Sequence, residues 1–436
     1  MNTVPHPFSD YAAVADYLYS LKAGGVKFGI DRMRRLAAAL GHPERSQPVI
    51  HVAGTNGKGS VAAMLESIFR QAGWRTGLYT SPHLVKLGER VQVDRHLLTE
   101  AEINAYTAEL RPVAAAIAEQ HPDEHPTFFE FMTAMAFLQF QRRKVDIAIV
   151  EVGMGGRLDA TNVVEPEISI ITSIGLDHCA ELGGTLALIA REKAGIIKPG
   201  RPVVMGRLPA EAEEVVRTIA AERQAPLHAV RDTFDAGLDG YPVTNLEGDY
   251  QRWNAAAATL AARLMAPRWK LADPVIAEAL QRVDWPGRWQ HLRVDDREVI
   301  LDASHNPEGA QVLDDQLRRL TSRTGRPPLI VTGALGEFRA RALLEVVLRH
   351  GREVHLATPR QARACTFEEL YALVPEADRS RVRRAAVETI FPDAHTCKVG
   401  APGDTVVVTG SIYLLGEVLE RLDPARGAGE GRLQDF

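Results

Sequence analysis

Three cysteines in 436 residues are too few for a disulfide framework, and Cys179, Cys365 and Cys397 lack the pairwise spacing of a thiolate metal site. They read as reduced, structural thiols. No run of about 18 apolar residues occurs, so no ordinary membrane-spanning helix is expected. The opening MNTVPHPFSDYAAV has neither a basic start nor an apolar centre; export is not expected, and a cytoplasmic location is. An excess of positive charge is also missing. With 51 Lys and Arg against 56 Asp and Glu, the formal net charge is -5, which gives no global attraction for nucleic acid or an anionic membrane. An anionic ligand must therefore be captured by local basic groups. Glycine and proline, at 35 and 25, are too sparse for a low-complexity chain, and no repeat of solenoid period is visible. What remains is an ordinary globular composition, long enough for two or three domains.

Apolar strand-like runs alternate with helical patterns. PVIHVAG, KVDIAIVEVG, EISIITSIG and RPVVMG each precede a stretch of 3.6-residue periodicity, which argues a mostly parallel sheet covered by helices. The rhythm restarts after DWPGRWQHLRVDDRE with VILDASHNPEGA, PPLIVTGAL, EVHLATP and DTVVVTGS. The predicted fold class is α/β: an N-terminal P-loop-type parallel sheet domain with flanking helices, plus a smaller C-terminal Rossmann-like α/β domain. The expected units are 1–290 and 298–424, joined by a linker around Trp285 to Arg297. A polar, glycine-rich tail at 425–436 is expected to fray.

The first chemical signal is HVAGTNGKGSVAAML, from His51 to Leu65. Gly54, Thr55, Asn56, Gly57, Lys58, Gly59 and Ser60 fall between a buried strand and a helix, where freed backbone N–H groups and the helix dipole favour phosphate. The strict P-loop has four residues between its glycines and Ser or Thr after the lysine. Here only two intervene and a third glycine follows Lys58, so the loop is a variant. A glycine-rich turn with an exposed lysine is the bland alternative.

A second cluster stands behind it. DIAIVEVGMGGRLDATN puts Glu151 at the end of a buried strand, the edge where open α/β sheets bind ligands. A carboxylate beside a phosphate loop suits Mg²⁺, which keeps several waters and takes one or two carboxylates plus phosphate oxygens. Glu151 could instead pair with Arg157. The next strand ends in SIGLDHCAELGG and brings His178 to the same edge; a helix carrying IAREKAGIIKPG follows. A lone His is more often structural than a ligand.

These residues resemble the Mur ligase superfamily, and within it the folylpolyglutamate synthase/dihydrofolate synthase enzymes. GTNGKGS, TSPHLVKLGERV, TFFEFMTAMAF, EVGMGGRLDATN, GLDH with LGGTLALIAREKAGIIKPG, YQRWNAAAA, WPGRWQ, LDASHNP and VVVTGSIYLLGEV appear in the family's order over nearly the whole chain. The resemblance implies an ATP-dependent ligase that joins L-glutamate to a pteroate or folate carboxylate through an acyl phosphate. Lys58 and its loop would cradle ATP. Ser81, next to Pro82 in TSPHL, and Glu151 would ligate one Mg²⁺, and Glu151 with His178 a second. Lys193 matches a lysine that family members carry as a carbamate, which requires a neutral amine held out of water; it could also be a surface lysine paired with Glu192. Asn254, Arg288, Asp302 and His305 match positions that contact nucleotide or phosphate across the domain cleft. Thr127, Phe129 and Asp159 match positions used for the pterin ring, where the phenylalanine would stack and the polar pair read the ring edge. The helical pattern around Thr127 could equally be plain core.

The implied partners are ATP, L-glutamate and dihydropteroate or tetrahydrofolate, with both glutamylation activities on a monomeric enzyme. Many members carry an Asp-Lys-Asp run where this chain has GEFRARALL from Gly336, so that loop's role is open. The alternative within the class is a Mur-type ligase acting on another acid, such as a nucleotide-sugar precursor. A phosphate-loop switch or motor ATPase is a rival from another class, but no guanine-reading Asn-Lys-x-Asp segment occurs.

Overall fold

The computed structural model describes residues 10–21, 29–234 and 237–426. The first sheet contains β1 (Val49–Ala53), β2 (Thr76–Tyr79), β3 (Val91–Val93), β4 (His96–Leu97), β5 (Ile147–Glu151), β6 (Ile168–Ile171), β7 (Val203–Met205) and β8 (Leu227–Ala229). Their order is β4-β3-β2-β5-β1-β6-β7-β8, parallel except at the β3–β4 end. The second sheet contains β9 (Gln290–Val294), β10 (Arg297–Asp302), β11 (Leu329–Thr332), β12 (Glu353–Ala357), β13 (Val382–Ala385) and β14 (Thr405–Thr409). Here the order is β13-β12-β11-β14-β10-β9, parallel except for β9. The result is two α/β domains, each a mostly parallel sheet with helices over its faces.

The central strands explain this arrangement. VIHVA of β1 and IAIVE of β5 are buried at every position, as continuous runs must be when helices cover both faces. On one face the helices Lys58–Gln71 and Asp249–Trp269 pack an alanine-rich core. On the other, Phe128–Arg143 buries Phe128, Phe131, Phe137 and Phe140. The aromatic-rich helix pattern is thus largely core. Buried His51 stays uncharged, its value lowered to about 3 by burial and by Lys198, and its Nε2 meets the Thr161 hydroxyl at 2.9 Å.

The segment expected as a linker, Trp285 to Arg297, holds β9. This strand pairs antiparallel with β10 and has partly exposed alternate residues, so it carries no continuous apolar run to announce it. From residue 427 the expected tail lies outside the described residues; Pro424–Arg426 form a short 3-10 turn.

Both sheets turn the carboxyl ends of their central strands toward one cleft, the position that parallel sheets reserve for ligands. The turn out of β1 tolerates only glycine. A Cβ on Gly54 would lie 1.9 Å from Thr172 Oγ1 and 3.1 Å from the Ser173 nitrogen. Thr172 cannot rotate freely, because its hydroxyl donates to the Asn56 carbonyl at 2.6 Å. Gly54→Ala is expected to cost about 2 kcal/mol, read as a lowered urea midpoint with an unchanged slope.

Candidate active site

Gly57, at φ +83°, ends the loop and starts the helix Lys58–Gln71, which no side chain caps. Its first N–H groups are therefore left for a ligand. The loop is held from below: Thr55 donates its N–H to the Ser173 carbonyl at 2.8 Å and Asn56 its N–H to Ser173 Oγ at 3.0 Å. Lys58 Nζ donates to the Thr55 carbonyl at 3.1 Å and lies 4.0 Å from Glu151 Oε1. The departure from the strict P-loop has a steric cause. A Cβ on Gly59 would lie 2.5 Å from Trp285 Cζ2, so the extra glycine makes room for the indole. Ser60 is buried beneath and accepts from Gln251 Nε2 at 3.3 Å.

Glu151 ends β5 and is 4% exposed. Burial raises its carboxyl to about 7 against the opposing pull of Lys58. It accepts from the Ser81 N–H at 3.3 Å, while the buried Ser81 Oγ has no hydrogen-bond partner. Arg157 does not pair with Glu151; it bonds Glu192 at 2.8 Å. Lys193 is buried as well, and its Nζ donates to the Gly54 carbonyl at 2.9 Å. Desolvation, aided by Lys58, lowers this amine to about 7. Neither the Arg157 pair nor the surface-lysine alternative is what the structure shows.

His178 follows β6 with a left-handed backbone, φ 50°, and lines the same cleft. Beside it, Asp177 is the centre of an interdomain cluster that the sequence did not single out. Its carboxylate takes Arg339 at 2.6 Å and Asn306 Nδ2 at 3.0 Å, with His305 Nε2 at 3.9 Å. Burial pushes this carboxyl up, but His305, Arg339 and His178 outweigh it and hold it well below the usual carboxylate range. Asn306 also exchanges amide hydrogen bonds with Asn56, at 3.0 and 3.1 Å, and Asn56 Nδ2 reaches Glu308 at 2.6 Å. A residue of the phosphate loop is thus tied directly to the second domain.

The remaining candidates, Asn254 from the first domain and Arg288, Asp302 and His305 from the region of the second, stand on the same cleft. Asn254, on the helix Asp249–Trp269, lies against Gly57 and donates to Gln251 Oε1 at 3.0 Å. Asp302 ends β10, where its carboxylate accepts the N–H groups of Trp289 and Ser304 at 3.2 and 3.1 Å. His305 Nδ1 meets the Ala303 carbonyl at 2.7 Å, and Arg288 Nη1 bonds the Gly287 carbonyl at 3.2 Å. The cavity measures about 340 Å³, within the size of small-molecule sites.

Thr127, Phe129 and Asp159 are not among the described residues lining that cavity. Thr127 caps the helix Phe128–Arg143 in a reciprocal capping box with Glu130, and the Phe129 ring lies 6.0 Å from that of Tyr79. Asp159 accepts from the Met154 N–H at 2.9 Å, and Met154 does line the cavity. Of the three, only Asp159 is bonded to a residue of the wall.

Residues 52–224 match the Mur ligase middle domain, and residues 287–412 the Mur ligase glutamate ligase domain. The dihydrofolate synthase/folylpolyglutamate synthase of Bacillus subtilis is 33% identical over 436 residues, taking in 95% of this chain and all of that one. This chain belongs to the dihydrofolate synthase/folylpolyglutamate synthase family. The Escherichia coli FolC structure in complex with DHPP and ADP superposes with a TM-score of 0.81 at 28% identity, over 98% of this chain and 100% of that one. The Yersinia pestis bifunctional folylpolyglutamate synthase/dihydrofolate synthase, complexed with AMPPNP and Mn ion, gives 0.78 at 31% identity over 95% and 98%. Members of this family are ATP-dependent ligases, and so is this chain.

The segment from Gly336, whose role the sequence left open, has a partner across the cleft. Arg339 crosses the cleft to Asp177, with both side chains mostly buried. Arg339→Ala is expected to weaken domain closure by about 2 kcal/mol, the scale of a broken desolvated ion pair. A larger radius of gyration in solution scattering checks it.

Proposed function

We propose that the cleft performs two glutamylations, adding L-glutamate to dihydropteroate and then to tetrahydrofolate. The observation that carries this reading is the meeting of Lys58, Glu151 and Lys193 from one domain with Asp302, His305 and Glu308 from the other around one cavity. A carboxylate is a poor electrophile because oxide is a poor leaving group. Transfer of the ATP γ-phosphoryl to the acceptor carboxylate gives an acyl phosphate; the glutamate amine attacks its carbonyl and inorganic phosphate departs. Such transfer is catalysed by positioning and charge neutralisation, so no protein nucleophile is needed.

The loop Gly54 to Ser60 would hold the phosphate chain with Lys58 as its cation. Asn254, beside Gly57, and Arg288 would engage the nucleotide, with Asp302 and His305 closing on it from the second domain. The donor set suits a divalent cation: a buried Ser81 hydroxyl without a partner, beside a carboxyl that burial, against the opposing pull of Lys58, raises to about 7. Ser81 and Glu151 would ligate one Mg²⁺, and Glu151 with His178 a second. The metal supplies charge neutralisation between phosphate oxygens. Among the described residues no three His, Cys, Asp or Glu side chains form a ready cage, which suits a cation that phosphate and water complete. Lys193, as a carbamate, would add a further negative group. The pterin ring is assigned to Thr127, Phe129 and Asp159, behind Met154, with the reacting carboxylate toward Lys58.

Among the described residues no helix is long and apolar enough to cross a membrane. We take the enzyme as a monomer acting on small molecules. ADP release by purified protein with Mg²⁺-ATP and L-glutamate tests the reading. Turnover with both dihydropteroate and tetrahydrofolate, each product heavier by one glutamyl unit, supports it. Silence with both, in protein that still binds ATP, would leave a Mur-type ligase for another acid.

A further inference from the structure

One corner of the cleft carries polar groups that the proposed reaction does not use. The hairpin β3–β4 turns at Asp94 and Arg95, whose φ values are 48° and 67°. Such two-residue turns favour glycine at the second position, so an arginine there is accepted at a conformational cost. What it gains is a span to the segment between the domains. Arg95 Nη2 donates to the Asp284 carbonyl at 2.7 Å and to its carboxylate at 3.0 Å. That carboxylate approaches from solvent and is 76% exposed. The other end of the fork, Nη1, is buried in the cleft wall without a hydrogen-bond partner.

Two more unpartnered groups belong to residues that line the same cavity. Trp285, the residue after Asp284, has a buried Nε1–H with no acceptor. That nitrogen lies 3.3 Å from where a Cβ on Gly59 would stand, which fixes it next to the phosphate-loop helix. From β3, Gln92 donates its Nε2 to the Glu89 carbonyl at 2.9 Å and leaves Oε1 buried and unsatisfied. All three line the cavity. Buried polar groups without partners cost free energy, and three on residues that line one cavity ask for a ligand.

We propose that Arg95, Trp285 and Gln92 form a subsite for a carboxylate carried next to an amide N–H, namely the non-reacting α-carboxylate of a glutamyl end. Two donors, one of them cationic, match the carboxylate oxygens; the acceptor matches the amide. A phosphate offers acceptors only and leaves Gln92 Oε1 unsatisfied. This deepens the proposed function, on whose second activity it rests. Tetrahydrofolate brings an α-carboxylate beside the one that reacts, whereas the only carboxylate of dihydropteroate is the reacting one. The corner therefore sorts the two acceptors.

The test is the ratio of KM for tetrahydrofolate to KM for dihydropteroate in wild type, Arg95→Gln and Trp285→Phe. Both variants are expected to raise that ratio, Arg95→Gln by about tenfold or more, as loss of a charge-assisted hydrogen bond requires. A parallel rise for both acceptors, a rise confined to ATP, or an unchanged ratio would overturn the subsite. Calorimetry with 4-aminobenzoyl-L-glutamate against 4-aminobenzoate, in the presence of ADP, needs no turnover. Preference for the glutamyl compound in wild type, lost in Arg95→Gln, supports the subsite even if ligation of tetrahydrofolate is never seen. Equal binding of the two compounds by wild type counts against it.

Discussion

Glu151→Gln is expected to lower ligase turnover by roughly a thousandfold or more while the protein stays folded. The substitution keeps shape and the contact to the Ser81 N–H while removing the charge. The fold should tolerate it, because the native carboxylate is a liability there. Its proton is bound more tightly in the folded state, where burial raises it to about 7, than in the unfolded chain near 4.3. Stability is therefore lost as pH rises from about 4 through 7 in the wild type and kept in the variant. Mg²⁺-ATP should reverse the order, raising the melting temperature of the wild type far more than that of Glu151→Gln. Melting curves at pH 5 and pH 8, with and without Mg²⁺-ATP, separate the two effects. Full turnover in the variant would remove Glu151 from the proposed chemistry.

Lys193→Ala is expected to cost on the order of a hundredfold in kcat. The amine is lowered to about 7 by desolvation, so it is mostly neutral above that pH and can add carbon dioxide. Wild-type activity should therefore rise through pH 7 and fall in carbon dioxide-free buffer at pH 8. Added bicarbonate should restore it. Turnover indifferent to bicarbonate would leave Lys193 as a buried donor to the Gly54 carbonyl.

The strands with apolar runs, β1, β5, β6, β7, β10, β11, β12 and β14, were legible in the sequence, because a sheet covered on both faces demands such runs. Missing were β2, four residues containing a glycine over which the Phe140 ring packs, the partly exposed strand β9, and β3, β4, β8 and β13. The loop from Gly54 to Ser60 and the strand-end position of Glu151 could be placed from local spacing. Asp177, Asn306, Glu308 and Arg339 could not: each gains its meaning from a partner on the other domain, more than 100 residues away in sequence. Asp177 stands in GLDH and Asn306 in LDASHNP, so adjacency to His178 and His305 was the only local signal. Arg95 and Gln92 lacked even that, since an arginine at a hairpin tip reads as a solvated turn.

The division of the site between two sheets also orders events during synthesis. A chain on the ribosome folds from its N-terminus, so the sheet carrying Lys58, Glu151 and Lys193 can form before β10 and the helix Pro307–Thr324 exist. Such a nascent domain owns a phosphate loop whose Asn56 still lacks Asn306 and Glu308. It can meet nucleotide without the groups that close on it. On the proposed reading, catalytic competence is expected only with the last third of the chain, and a product truncated before that point is expected not to spend ATP.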